Sequence, residues 1–390
     1  MRSVLRAVAI AVFAVSALAA CTPRAAMPPD VHPSQSMTPT QSRTPTPTAS
    51  PTSTTAAQRA ADLVGRMTIR EKAASVVMAQ IPGTDPAALG AGLADGAGNL
   101  ILMGDGITVD GESQRALLDE ATAGVEPRPL IATDEEGGDV ARLPWDELPS
   151  ARTLKGAESA AVERAFAARG GLLAEAGISV NFGVVADVPR GEESFIYSRA
   201  FGTDPAVVAG AVAAAVRGEA GRVFTTLKHF PGHGAAEGDS HSAIPTTDET
   251  YEAWLAGDAM PFQAGIDAGA SLVMTGHLRF TAVSPEPASL SPEWYGILRD
   301  SMGFDGVAVT DDIGMLTGSG EAAYADVNDD AIAALRAGAD LVLFVAGSGA
   351  EQNVAMVERI AQAAEGGALP EARLDEAATR VMTLRLGLEE

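Results

Sequence analysis

After residue 56 the chain settles into one rhythm: a short apolar run, a loop, then a longer stretch with alanines and leucines at helical spacing. The apolar runs fall at residues 75–80, 99–103, 130–133, 179–184, 223–227, 271–275, 306–310 and 340–345, each of strand length. Stretches such as 160–176, 205–219 and 326–338 carry the helical period between them. Eight strands alternating with helices over about 330 residues predict an α/β fold, a parallel (β/α)8 barrel of the TIM type with an outer helical ring. A doubly wound open sheet shares this alternation, but no G-x-G-x-x-G follows the first strand.

The unusual polar residues sit where a barrel needs them. Asp134 and Glu136 follow the third run, Asp187 the fourth, Lys228 and His229 the fifth, His277 the sixth, and Asp311 and Asp312 the seventh. All are at carboxyl ends of strands, which in a barrel converge on the face that carries the active site. Helix capping explains one or two aspartates, but not Lys228, His229 and His277 together.

Residues 228–241 hold three of the five histidines. Pro231 and the glycines at 232, 234 and 238 exclude a helix, so the segment reads as a strand end running into a long loop. His229 and His233 have the i, i+4 spacing of metal ligands, but without the helix they lack a common face, and no H-E-x-x-H occurs. Neither a metal nor another cofactor is expected. Asp239 and His241 are one residue apart, so in an extended segment both side chains leave on one side and can pair. A carboxylate on one ring nitrogen fixes the tautomer of an imidazole, which suits acid/base work. Asp311 and Asp312 are neighbours that point to opposite faces of a strand. Parity groups Asp311 with Val307 and Val309, and Asp312 with Ala308 and Thr310, and does not decide which of the two faces the pocket.

The first residues read as an address. Arg2 and Arg6 precede an apolar run over 7–18, and Ala19-Ala20 lead into Cys21, so residues 1–20 form an expected signal peptide. Leu18-Ala19-Ala20-Cys21 resembles a bacterial lipobox, with Cys21 as the lipidated residue, and Cys21 is the only cysteine. Acyl chains there would anchor the protein to the bacterial cell membrane on its extracytoplasmic side without a spanning helix. Residues 21–56 are rich in Pro, Thr and Ser and are expected to form a disordered spacer, roughly 100 Å at full reach. Residues 57–390 are left for the catalytic barrel, a single domain closed by helices near 350–364 and 371–386. A formal charge of -24 makes nucleic acid an unfavourable partner.

Lys228-His229-Phe230-Pro231-Gly232-His233-Gly234, then Asp239-Ser240-His241, resembles the signature loop of family 3 glycoside hydrolases, in particular their single-barrel β-N-acetylglucosaminidases acting on peptidoglycan fragments. Ile131-Ala132-Thr133-Asp134-Glu135-Glu136-Gly137-Gly138 with Val140 and Arg142-Leu143, Asn181-Phe182 with Asp187, Ser198-Arg199-Ala200-Phe201-Gly202, and Thr310-Asp311-Asp312-Ile313-Gly314-Met315 match further motifs in order. The resemblance implies Asp311 as nucleophile and His241 as general acid/base held by Asp239. It implies Asp134, Arg142, Arg199, Lys228 and His229 as groups that bind sugar hydroxyls, and a β-GlcNAc-containing saccharide or muropeptide as substrate. Three positions depart from the family pattern: Glu135 for a common Gln, Asp139 for a common Arg, and Val184 for a frequent Pro. The second reverses a charge expected close to the sugar pocket. Two other readings are a phosphorylase on the same fold and a sugar-binding lipoprotein without catalysis.

Overall fold

In the computed structural model, which describes residues 55–389, strands and helices alternate as the sequence pattern predicts. The strands are β1 (Val77–Gln80), β2 (Asn99–Ile101), β3 (Ile131–Thr133), β4 (Val180–Val185), β5 (Phe224–Phe230), β6 (Thr246–Thr247), β7 (Leu272–Thr275), β8 (Arg279–Phe280), β9 (Val307–Thr310) and β10 (Val342–Phe344). Eight of them form one parallel sheet in the order β10-β1-β2-β3-β4-β5-β7-β9. The ring closes between the two ends of that order: a parallel bridge joins Val309 to Leu341, and Thr310 N–H donates to Leu341 O at 3.0 Å. The protein is thus a (β/α)8 barrel. Strands β6 and β8 pair only with each other, outside the ring.

Alternation along each strand divides the core in two. Met78, Ile101, Ala132, Val180, Phe182, Leu272, Met274, Val307, Val309 and Leu343 pack together inside the ring. Their neighbours Val77, Ala79, Val184, Leu227, Val273, Ala308 and Val342 belong to the layer beneath the helices. This places Val307 and Val309 on the interior face of β9 and settles the parity question at its end, because Asp311 continues that face.

The outer layer begins with α1 (Ala56–Val64) and α2 (Ile69–Ser75), which start in capping boxes at Thr55/Gln58 and Thr68/Glu71. It continues through α3 (Pro86–Asp95), α4 (Gly111–Ala121), α5 (Ser159–Glu175), α6 (Pro205–Glu219), α7 (Tyr251–Ala256), α8 (Ala259–Asp267) and α9 (Pro292–Gly296). The helices α10 (Gly314–Gly318), α11 (Val327–Ala337), α12 (Ala350–Glu365) and α13 (Glu371–Gly387) complete it.

Two boundaries correct the sequence expectation. Ser75 ends α2 rather than starting β1, because the capping box sets a helix whose last residue returns its Oγ to Lys72 O at 2.7 Å. Strand β5 runs on to Phe230, since Val185 pairs with Lys228 and Thr275 with Phe230. Lys228 and His229 are therefore in the strand, not after it. The expected signal peptide, Cys21 and most of the spacer lie outside the described residues.

Candidate active site

The ends of β3 and β5 build a charged floor. Lys228 Nζ lies 2.7 Å from Asp134 Oδ1 and 2.8 Å from Glu136 Oε1. Arg199 adds a fork, with Nε at 2.9 Å and Nη2 at 2.6 Å from the two oxygens of Glu136. Burial works against the Glu136 charge, but Lys228 and Arg199 outweigh it and hold the carboxyl down at about 2. Burial likewise opposes the Lys228 ammonium, and Asp134 and Glu136 raise it above its ordinary value. Arg142 approaches the same group from the rim, its Nη2 3.8 Å from Asp134 Oδ2.

His229 stands beside this floor in one defined tautomer. Its Nε2 is 3.3 Å from Arg199 Nη2, and a guanidinium can only donate, so Nε2 carries the lone pair. Nδ1–H then donates to Asp187 Oδ2 at 2.8 Å. Burial first, then Arg199 and Lys228, push the imidazole well below its ordinary pKa, so it stands as the neutral ring. Asp187 also accepts the backbone N–H groups of His229 and His233, at 3.1 and 2.6 Å. Burial outweighs these donors and raises its carboxyl to about 6.

Asp311 and Asp312 separate into different tasks. Asp311 N–H donates to Thr275 O at 2.9 Å, which ties it to β7, and its Oδ1 accepts Asp312 N–H at 2.8 Å. Burial opposes its charge, but His277, that N–H and the Lys228 ammonium keep the carboxyl below its ordinary value, so it stands ionised. Asp312 turns the other way and accepts N–H groups from Gly314, Val345 and Ala346 at 2.8–3.1 Å. His277 Nε2–H donates to Asp312 O at 2.8 Å while Nδ1 meets Ser289 Oγ at 2.7 Å, which fixes the backbone behind the two aspartates.

The remaining groups ride on the loop after β5. Trp254 Nε1 donates to Pro231 O at 2.8 Å and anchors the start. Gly234 lies so close to the β4–α6 loop that a Cβ there would come 2.1 Å from Val188 O. His241 Nδ1 meets Asp239 Oδ1 at 2.6 Å, as expected, but across a turn rather than along an extended segment, since Ser242 and Ala243 N–H both donate to Asp239 O. A turn brings residues i and i+2 together as well as a strand does. His233 sends Nε2 to Ser240 Oγ at 3.1 Å and stiffens the loop just before His241.

These elements enclose a pocket of about 400 Å³ lined by Asp134, Arg142, Arg199, His229, His241 and Asp311 among others. Lys228 sits one layer below, its side chain 3% exposed, and acts on the pocket through Asp134 and Glu136. Gly137 and Val140 bridge in a tight turn that carries Asp139 exposed at its tip, beside Val140, which lines the pocket. Glu135 is buried behind the site, its Oε2 accepting Arg142 and Leu143 N–H at 2.7 and 2.8 Å. Glu136 and Asp187 matter more than their sequence positions suggested, as the acceptors that hold Lys228, Arg199, His229 and His233. The signal was present in their placement beside other strand-end polar groups.

A polar pocket at the carboxyl ends of a parallel barrel, lined by a carboxylate, an imidazole and paired charges, has the layout of the barrel enzymes. Within that class, the glycosyl hydrolase family 3 N terminal domain matches residues 69–384, and the chain belongs to this family. It is 41% identical over 210 residues to a beta-hexosaminidase of Stenotrophomonas maltophilia, covering 51% of this chain and 62% of that protein. It is 35% identical over 302 residues to the beta-hexosaminidase LpqI of Mycobacterium tuberculosis, covering 72% of this chain and 75% of that one. A solved family 3 β-N-acetylglucosaminidase from Paenibacillus superposes with a TM-score of 0.77 at 30% identity, over 83% of this chain and 64% of that one.

Proposed function

We propose that the protein is an exo-acting, retaining β-N-acetylglucosaminidase that removes terminal β-linked GlcNAc from peptidoglycan-derived saccharides. The observation that carries this reading is the pairing of Asp311, ionised on the interior face of the barrel, with His241 and its Asp239 partner around one pocket. The names of the beta-hexosaminidase relatives support the same reading.

In the first step an Asp311 oxygen bonds to the anomeric carbon as the glycosidic C–O bond breaks. Asp239 accepts from Nδ1–H, so Nε2 is the working nitrogen of His241, and its proton goes to the leaving oxygen. In the second step neutral His241 takes a proton from water, the water oxygen bonds to the anomeric carbon, and the Asp311 carboxylate leaves. Two inversions give net retention. Asp134, Arg142, Arg199 and His229 hold the hydroxyls from the floor and rim, with Lys228 fixing Asp134.

Asp311→Ala is expected to lower hydrolysis of an aryl β-N-acetylglucosaminide by at least about three orders of magnitude while the fold is kept. Near-normal turnover, or sugar 1-phosphate as the product when phosphate is present, would overturn the assignment. The sequence of residues 1–56 supports placement outside the cytoplasm, held by lipid on Cys21 and set off by the Pro/Thr/Ser spacer. Labelled fatty acid is expected in the wild-type protein and not in Cys21→Ala, which should move from the membrane fraction to the soluble one.

A further inference from the structure

Among the proposed catalytic groups, His241 takes its hydrogen bonds from within its own loop. Its backbone N–H and its Nδ1 both meet Asp239 Oδ1, at 3.0 and 2.6 Å, and its side chain is 61% exposed. Asp239 settles which ring nitrogen carries the proton. It rides on the same turn, however, so it does not settle where the ring stands relative to Asp311.

The described ring contact that reaches His241 from another part of the chain is Phe195, on the loop between β4 and α6. Its centroid is 6.1 Å from that of His241 in an edge arrangement. The same phenyl ring lies 5.4 Å from His233, whose Nε2 meets Ser240, the residue before His241. Phe195 thus touches the loop twice, once at the acid/base ring and once at the side chain that stiffens the approach to it.

The segment bearing Phe195 is itself held firmly. Arg199 is locked to Glu136, and Arg190 bonds to Glu249 at 2.8 Å and to the buried carboxylate of Asp258 at 2.5 Å. Phe195 nonetheless stays 40% exposed, where most of the large apolar side chains are buried. A ring on a segment tied down at both ends, half in water and edge-on to an exposed histidine, is placed to orient that histidine rather than to fill a core.

We propose that Phe195 is a positioning residue for the acid/base step: its ring holds the His241 imidazole over the pocket with Nε2 turned toward the leaving oxygen. The inference rests on the reading of His241 given above.

The test compares kcat/KM, which reports formation of the glycosyl-enzyme, for two β-GlcNAc substrates. A GlcNAc disaccharide has a poor leaving group that needs the proton, and a 2,4-dinitrophenyl glycoside has one that does not. Phe195→Ala is expected to lose about tenfold on the disaccharide, the scale of one aromatic pair, and less than twofold on the dinitrophenyl glycoside. Phe195→Trp should restore most of the loss. In a His241→Ala background, Phe195→Ala should add nothing further on the disaccharide, because its effect passes through the missing ring. Phe195→Leu serves the same comparison if the alanine variant folds poorly.

Equal loss on both substrates, no loss on either, or additive losses in the double variant would overturn the role of Phe195. Full disaccharide activity in His241→Ala would instead overturn the assignment of His241.

Discussion

Glu219 closes α6 and is fully buried, with Oε1 accepting Asn181 Nδ2 at 2.6 Å and no hydrogen-bond partner recorded for Oε2 among the described residues. Burial outweighs the help from Asn181, Thr225 and Arg169 and raises its carboxyl from 4.5 to about 7. A raised carboxyl stabilises the fold fully below the unfolded value, and that contribution is lost as pH rises through the folded one. Wild-type stability should therefore fall relative to Glu219→Gln between pH 5 and 8, by about 3 kcal/mol as an order of magnitude. Thermal unfolding of both proteins across that range checks the sign; parallel curves would mean that Glu219 is ionised throughout. Asn181 links this residue to the site, since its side chain also bonds Glu135 N and O at 3.1 Å directly behind the floor.

At the scale of elements, the β5 strand and its loop work as one unit pressed against the loop after β4. Gly234 is the tightest point, because the Val188 carbonyl occupies the space of a Cβ. Gly234→Ala is expected to cost about 1–3 kcal/mol of stability by overpacking and to lower kcat/KM by shifting the turn that carries His241. Unchanged melting and activity would show that the two loops slide freely.

Much of this arrangement was legible in the chain. Eight apolar runs, and Asp134, Arg142, Arg199, His229, His241 and Asp311 around one pocket, followed from pattern and motif. Other features depend on partners distant in sequence. The extension of β5 through Lys228 and His229 requires Val185 and Thr275 beside it. The facing of Asp311 over Asp312 was hidden because residues 307–310 are mostly apolar on both faces, and only closure of the ring names the inner one. The pair β6 and β8 is two residues long in each strand, too short to show an alternation. Phe195 shares its loop with Tyr197 and Phe201, and nothing local marks it rather than them as a neighbour of His241.

For the whole molecule, the decisive junction is the seam between β9 and β10. Asp340, fully buried at its base, gathers Arg299, Arg373 and Arg380 and accepts Ala308 N–H at 3.0 Å, which binds α13 to the seam. Asp340→Ala leaves three guanidinium groups without their shared counter-charge and is expected to destabilise the protein by about 3–5 kcal/mol, read from urea unfolding. A loss under 1 kcal/mol would mean that solvent reaches those arginines. Across the seam, Leu343 N–H donates to Thr310 Oγ1, and Val345 and Ala346 N–H donate to the carboxylate next to Asp311. The strand that bears Asp311 is thus locked by residues that follow it in the chain, and those in turn by the last long helix. Asp311 therefore reaches its final place only once the strand and helix that follow it have docked, so the hydrolysis proposed above would also report that the entire barrel has been threaded and closed.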